Sequence, residues 1–227
     1  MLSQSAETSE WAAETSDWAA ETEARLLQAA IRLAPRLGWS DRLVVAAGRE
    51  IDLSAPEAQL LLPDGARDLA ALFSRAHDAA AAERLAPLDP ASLKIRERIR
   101  HGVIARCDVA FEDGEALRRC TGFLALPRQI PLALRLAWAS ADQIWRWAGD
   151  VATDENHYTK RVLLAEILIS TVAVRLALGG NAAQAHVDRR IAAVMAFEKW
   201  KAGLKPSLAP AGLLRRLTRL RYGAAAA

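Results

Sequence analysis

The sequence predicts an all-α protein, and three observations predict it. Alanine and leucine dominate an apolar content of 52%, with few β-branched runs, a composition that favours helix over strand. No stretch alternates apolar and polar residues with the period of two that a half-buried strand needs. Apolar residues instead recur at helical spacing in segments cut by glycine and proline.

The segments follow in order. Residues 1–21 are repetitive: "AETSEWA" and "AETSDWA" are followed by a decaying "AETEARL" that runs on into the next segment. Two heptads with Trp and Ala on the seam are too few and too weak for a coiled coil, so a frayed helical or disordered segment is expected. Residues 22–86 read as a helix-turn-helix-like subdomain. A helix ends before Gly38, a second begins at a capping Asp41, the short "APEAQLLLPDG" closes at Pro63, and a long "ARDLAALFSRAHDAAAAERL" follows. Residues 87–203 form a second helical region. Asp89 caps with Pro90 at the first helical position, one helix stops at Pro127, the next at Gly149, and the one after at Gly179. Residues 204–227 carry a proline-bearing linker and a last helix, for about ten helices in all.

Helix, turn, helix, turn, short helix is the order found in TetR-type repressors. The third helix argues against DNA binding. It has no Arg or Lys, presents Glu57 and Asp64, and offers leucines instead, whereas a recognition helix must approach phosphates. A transcription regulator with a hydrophobic ligand is therefore the alternative reading, and no nucleic-acid partner is expected.

Charge is uneven along the chain. Seven bases and no acid lie from Lys199 onward, and 23 bases face 27 acids before it. A basic tail on a mildly acidic body suggests an anionic partner for the tail. Six acids precede the first base, Arg25, the opposite of a presequence. Cys107 and Cys120 have neither CxxC nor metal spacing, which suits a reducing cytosol. The longest apolar run, Val162 to Leu178, holds Glu166 and Arg175 and reads as a core helix rather than a membrane span.

Nothing in the sequence supports catalysis. His77, His101, His157 and His186 are scattered, and no metal-ligand pattern, nucleophile elbow or phosphate loop is present. No catalytic residue, metal or cofactor is expected. Two features stand out instead. "WRWAGDVATDENHYTKR", Trp145 to Arg161, packs aromatics and charges where one helix ends and another begins. Capping and pairing explain part of it, with Asp150 or Asp154 opposite Arg161. Tyr158 and His157 in the first turn suggest interface anchors with a polar rim. In the last helix, Leu213, Leu214, Leu217 and Leu220 fall in a sector of roughly 120° with Arg215, Arg216 and Arg219 opposite, the pattern of an interfacial membrane helix.

The first of these stretches, followed by "VDRRI" and preceded by "GWS", "LPDG", "LKIRERIR" and "LALPRQIPLALRLAWASADQIWRWAGD", resembles the ninth coenzyme Q biosynthesis protein family over about residues 24 to 200. The resemblance implies a TetR-like fold without DNA binding and an apolar cavity for an isoprenoid lipid or quinone intermediate. It also implies a homodimer, a peripheral association of the terminal helix with the inner membrane, and support of a ring-modifying hydroxylase. The family's partner-facing D-x-N-W-Y turn falls on Asp154, Asn156, His157 and Tyr158, with His157 in place of Trp. Asp150 and Arg161 then serve as rim and scaffold. For the lipid wall the expected residues are Phe123, Leu124, Leu132, Leu136, Ile144, Leu164 and Leu168, drawn from the long apolar helices.

Overall fold

A computed structural model of the chain describes residues 2–150 and 155–203, with side chains over 18–150 and 157–196. All the regular structure in them is helical. The first four helices are α1 (Leu2–Leu37), α2 (Asp41–Glu50), α3 (Ala55–Leu61) and α4 (Ala66–Leu85). They are followed by α5 (Ile95–Glu112), α6 (Gly114–Leu124), α7 (Ile130–Trp147), α8 (Glu155–Leu178) and α9 (Gly180–Gly203). Helix α1 takes in the N-terminal repeat, whose Ala and Glu content is compatible with continued helix. The expected last helix lies outside the described residues. Two compact units divide at Asp188 within α9. The first contains α1–α8 and the start of α9. The described part of the second is the rest of α9.

The helix-turn-helix region closes through polar contacts at its turns. Gly38, at a φ of 71°, ends α1 with its N–H on the Ala34 carbonyl, the left-handed cap that glycine adopts without strain. Trp39 then buries its ring against Phe73, and its indole N–H donates to the Ala66 carbonyl at 3.1 Å. Asp41 does not cap its own helix, as the sequence suggests. Ser40 is the N-cap of α2, and Asp41 accepts from the Ala66 N–H at 2.9 Å, capping α4 instead. Gly65, at a φ of 56°, leaves room for that carboxylate. Leu26, Leu43, Leu69 and Phe73 fill the core beneath, each buried leucine contributing about 1.5–3 kcal/mol.

Helix α3 is held by a capping box between Ser54 and Glu57, so Glu57 spends its carboxylate on the helix start. Leu60 is 76% exposed, as the sequence implies for this acidic, leucine-bearing helix.

Asp89 caps only a short 3-10 turn at Pro90–Ser92, and α5 begins later, where Glu97 accepts from the Lys94 N–H at 3.0 Å. In the second half of the first unit, α4 packs on α5 and α7, and α7 packs on α8. Gly102 lets α5 approach α7: a Cβ there would fall well inside contact distance of Ile144 Cγ2. The Asp78 carboxylate joins three helices, accepting from Arg106 Nε on α5 at 2.5 Å and Ser140 Oγ on α7 at 2.7 Å. Among the described residues no helix is long and apolar enough to cross a membrane.

The α5–α7 contact gives a stability prediction. Gly102→Ala gains helix propensity of up to about 1 kcal/mol, but overpacking costs about 1–3 kcal/mol. Urea titration should show a net loss. Pairing it with Ile144→Ala should give a smaller loss than the two single changes summed, because the obstructing methyl is gone. Strict additivity would mean that the two helices do not meet here.

Candidate functional site

A cavity of about 410 Å³ opens among α4, α5, α6, α7 and α8. Small side chains create it: Ala70, Ala110, Ala133 and Ala137 stand on its walls where larger residues would fill it. Ile130, Leu134 and Ile169 line it and are also about half exposed, so they form its mouth.

Leu124, Leu136 and Leu168 of the seven expected residues are on the wall. The other four are not, and helical phase explains it. Leu132 is turned away from the face of α7 that carries Ile130, Ala133, Ala137 and Ser140, and it is buried in packing. Ile144 shares that face but lies a turn beyond Ser140, against Gly102. Leu164 is one turn before Leu168 and fully packed. Phe123 leaves the wall to its neighbour Leu124 and packs against the core.

The wall also carries polar residues that the sequence reading passed over. His77, Arg106, Ser74 and Ser140 line the cavity. His77 Nε2 lies 3.2 Å from Asp113 Oδ2, and its ring meets Phe73 edge-on at 4.1 Å. Burial, with Arg106 adding to it, lowers the pKa of His77 to about 4 against the opposing pull of Asp113, so the ring is neutral near pH 7. Its position four residues after Phe73 on an apolar helix face was the available signal. Cys107 and Cys120 are also on the wall, and burial pushes both thiols up, which keeps them protonated and unreactive.

The second site is the corner where α7 gives way to α8. Gly149, at a φ of 86°, and the Asp150 N–H to Trp145 carbonyl bond of 3.0 Å end α7 in a Schellman-type turn. That turn aims Asp150 back at α8. Arg161 receives it: Nη1 donates to Asp150 Oδ2 at 3.1 Å and to the His157 carbonyl at 3.1 Å, while Nε donates to Asp142 Oδ1 at 2.5 Å. Lys160 Nζ donates to the other Asp150 oxygen at 2.6 Å. Burial pushes the Asp150 carboxyl up, but hydrogen bonds from Lys160 and Arg161 outweigh it, and the net shift is below the usual carboxylate range. Trp145 closes the corner, donating to the Lys160 carbonyl at 3.1 Å.

Arg161 is only 2% exposed and the side chain of Asp150 6%, so the ion pair is largely covered and supports the corner from beneath. Tyr158 is 63% exposed, beside His157 at 5.2 Å and Trp138 at 6.0 Å between ring centres. Asp154 and the side chain of Asn156 lie outside the described residues. So do Leu213, Leu214, Arg215, Arg216, Leu217, Arg219 and Leu220 of the tail.

Residues 130–198, which contain α7, α8, the corner and one wall of the cavity, match the family model COQ9. The chain carries a COQ9-family domain. Ubiquinone biosynthesis protein COQ9, mitochondrial, of Xenopus tropicalis is 32% identical over 161 residues, covering 68% of this chain and 50% of that protein. The proteins of the same name from Bos taurus and Homo sapiens are 28% and 27% identical over 158 residues, covering 67% of this chain and 50% of each. The chain thus spans about half the length of the curated relatives it matches.

The corner separates covered charges from exposed rings, and the two should respond differently to substitution. Arg161→Ala removes the buried cation between two carboxylates, leaving Asp150 with Lys160 and Asp142 with Arg146, and should cost about 2–3 kcal/mol. Tyr158→Ala removes an exposed ring and should cost under about 1 kcal/mol. Urea titration of both variants measures the contrast, and equal losses would contradict it.

Proposed function

We propose that this chain is a non-catalytic accessory protein of ubiquinone biosynthesis. It holds an isoprenoid quinone intermediate in the α4–α8 cavity and presents it to a ring-modifying hydroxylase at a membrane surface. The observation that carries the reading is the cavity itself. Its volume of about 410 Å³ is within the usual range for small-molecule sites, its walls are largely apolar, and its mouth is apolar too. The names of the COQ9 relatives supply the pathway, and they carry the word mitochondrial.

The remaining parts follow the same reading. Tyr158 and His157 anchor the hydroxylase on the rigid platform of Arg161, Asp150 and Lys160. The arginine and leucine faces of residues 213–220 bind an anionic bilayer by apolar burial and charge together. A lipid leaving that bilayer enters between Ile130, Leu134 and Ile169. Two copies associate as a homodimer, for which exposed Val162 and Leu178 on α8 offer apolar surface. The acidic third helix, with Glu57 committed to its cap and no base of its own, favours this reading over a transcription regulator.

Organic extraction of the purified full chain, followed by mass spectrometry, tests the cavity. An isoprenoid lipid should co-purify, and Leu136→Trp, which fills the wall, should reduce it at least tenfold while the fold survives. Unchanged loading of the filled variant would place the lipid elsewhere. Vesicle co-flotation tests the tail. A truncation ending at Leu204 should lose flotation on anionic vesicles that the full chain shows, and equal flotation would assign the last helix another role.

A further inference from the structure

The exposed face of α2 carries an order of residues that neither the cavity nor the α7–α8 corner uses. Asp41, Val45 and Arg49 stand at i, i+4 and i+8, within a sector of about 80° and over about 12 Å of helix. All three are exposed, Val45 by 47%. Beside them a groove of about 550 Å³ runs between α2 and α3. Gly48 and Ala58 form its floor. A Cβ on Gly48 would lie 3.6 Å from Ala58 Cβ, so the two helices approach closely there and leave a valley next to the Val45 ridge.

Charge divides the groove along its length. Asp41 and Asp64 stand where α2 begins, and Arg49 stands in its last turn. One Asp41 oxygen accepts from the Ala66 N–H at 2.9 Å, which holds that carboxylate in place. Asp64 uses its backbone N–H on Asp68, but its carboxylate has neither a hydrogen bond nor an ion pair among the described residues, and the Arg49 guanidinium has none either. Glu50, next to Arg49, is taken by Arg32, and Arg42 does not line the groove. The order along the face is therefore acid, apolar, base. A nucleic acid does not fit it, because Arg49 is the one base among the lining residues and two carboxylates face it from the other end.

An order of acid, apolar, base is its own complement when read backwards. We propose that this face of α2 associates with the same face of a second copy, the two α2 helices antiparallel about a twofold axis near Val45. Arg49 of each copy then meets Asp41 and Asp64 of the other, and each Val45 enters the other copy's Gly48–Ala58 valley. The surface is apart from the α8 surface named above, and it does not rest on the cavity being a ligand site. The contact is short and its charges are exposed, so the association is weak, depends on concentration and loosens with salt.

Coupling through a single cysteine tests the geometry. The full chain carrying Val45→Cys, treated at low salt with a short bismaleimide, should give a covalent dimer, because packed helix axes lie about 8–10 Å apart. Cys107 and Cys120 are buried, so the unaltered chain should give none. Leu88→Cys, exposed beyond the far end of the 20-residue α4, measures random collision. Sedimentation of the full chain tests the charges. Arg49→Glu should weaken association by on the order of tenfold or more, since it sets acid against acid. Asp64→Lys alone should weaken it too, yet the double variant should associate more tightly than Arg49→Glu alone, because Glu then meets Lys. Effects confined to one copy would instead add. The substituted side chains are exposed, so each variant should keep the helical circular dichroism of the unaltered chain. If Val45→Cys couples no faster than Leu88→Cys, or if the double variant is weaker than either single one, α2 does not face a second copy. The proposal is then overturned and the groove is left to a different protein.

Discussion

The buried guanidinium of Arg161 governs much of what lies around it. An unpaired charge at that depth is prohibitive, so the fold must bring two carboxylates to it. Asp142 comes from the face of α7 and Asp150 from the turn that ends it. Both can reach only if α7 stops at Gly149 and α8 starts close by at a fixed angle. The same constraint holds one wall of the cavity, because Leu136 and Leu168 stand on these two helices. It also sets the first turn of α8, from which Tyr158 projects. A scaffold interaction thus positions an apolar interior and an aromatic exterior at once.

Asp78 performs the equivalent task on the other side. It draws Arg106 of α5 and Ser140 of α7 onto α4, while Gln143 donates to its backbone carbonyl at 3.2 Å. Gly102 then allows α5 and α7 to close further along. On the N-terminal side of these contacts, from Ile130 to Ser140, α7 faces its neighbours with alanines, and the space left by those small side chains is the cavity. Packing at Ile144 and ion pairing at Asp142 fix α7 just beyond that stretch.

The sequence showed the helices well because glycine, proline and apolar spacing act locally. Gly38, Gly149 and Gly179 each end a helix where the pattern says they should. It misread Asp41, whose position before an apolar run looks like a cap. Its actual partner, the Ala66 N–H, is 25 residues away, and no local rule points there. The cavity wall was half legible for a similar reason. Periodicity tells that Leu132 and Leu136 are both buried, but which of them meets a void depends on what the neighbouring helices lack. His77 was missed because a lone histidine carries no spacing signal. Its meaning comes from Asp113 and Arg106, on other helices.

Helix α7 connects the two sites through one rigid element. Ala133, Leu136, Ala137 and Ser140 face the cavity, while Trp138, Asp142 and Trp145 belong to the corner side. On the proposed reading, a ligand entering past Leu134 would press on the same helix whose far face carries the corner. Moving that helix would strain Arg161 against Asp142 and Asp150, and a buried pair broken on one side costs several kcal/mol, on the order of 3–5. Contacts within an apolar cavity that is already open contribute little toward such a movement, since the space exists before the ligand arrives. The corner is accordingly preorganised in the empty protein. On the proposed reading, a partner would meet it with its geometry already fixed, and a ligand would be brought near by the shared helix without a change in shape.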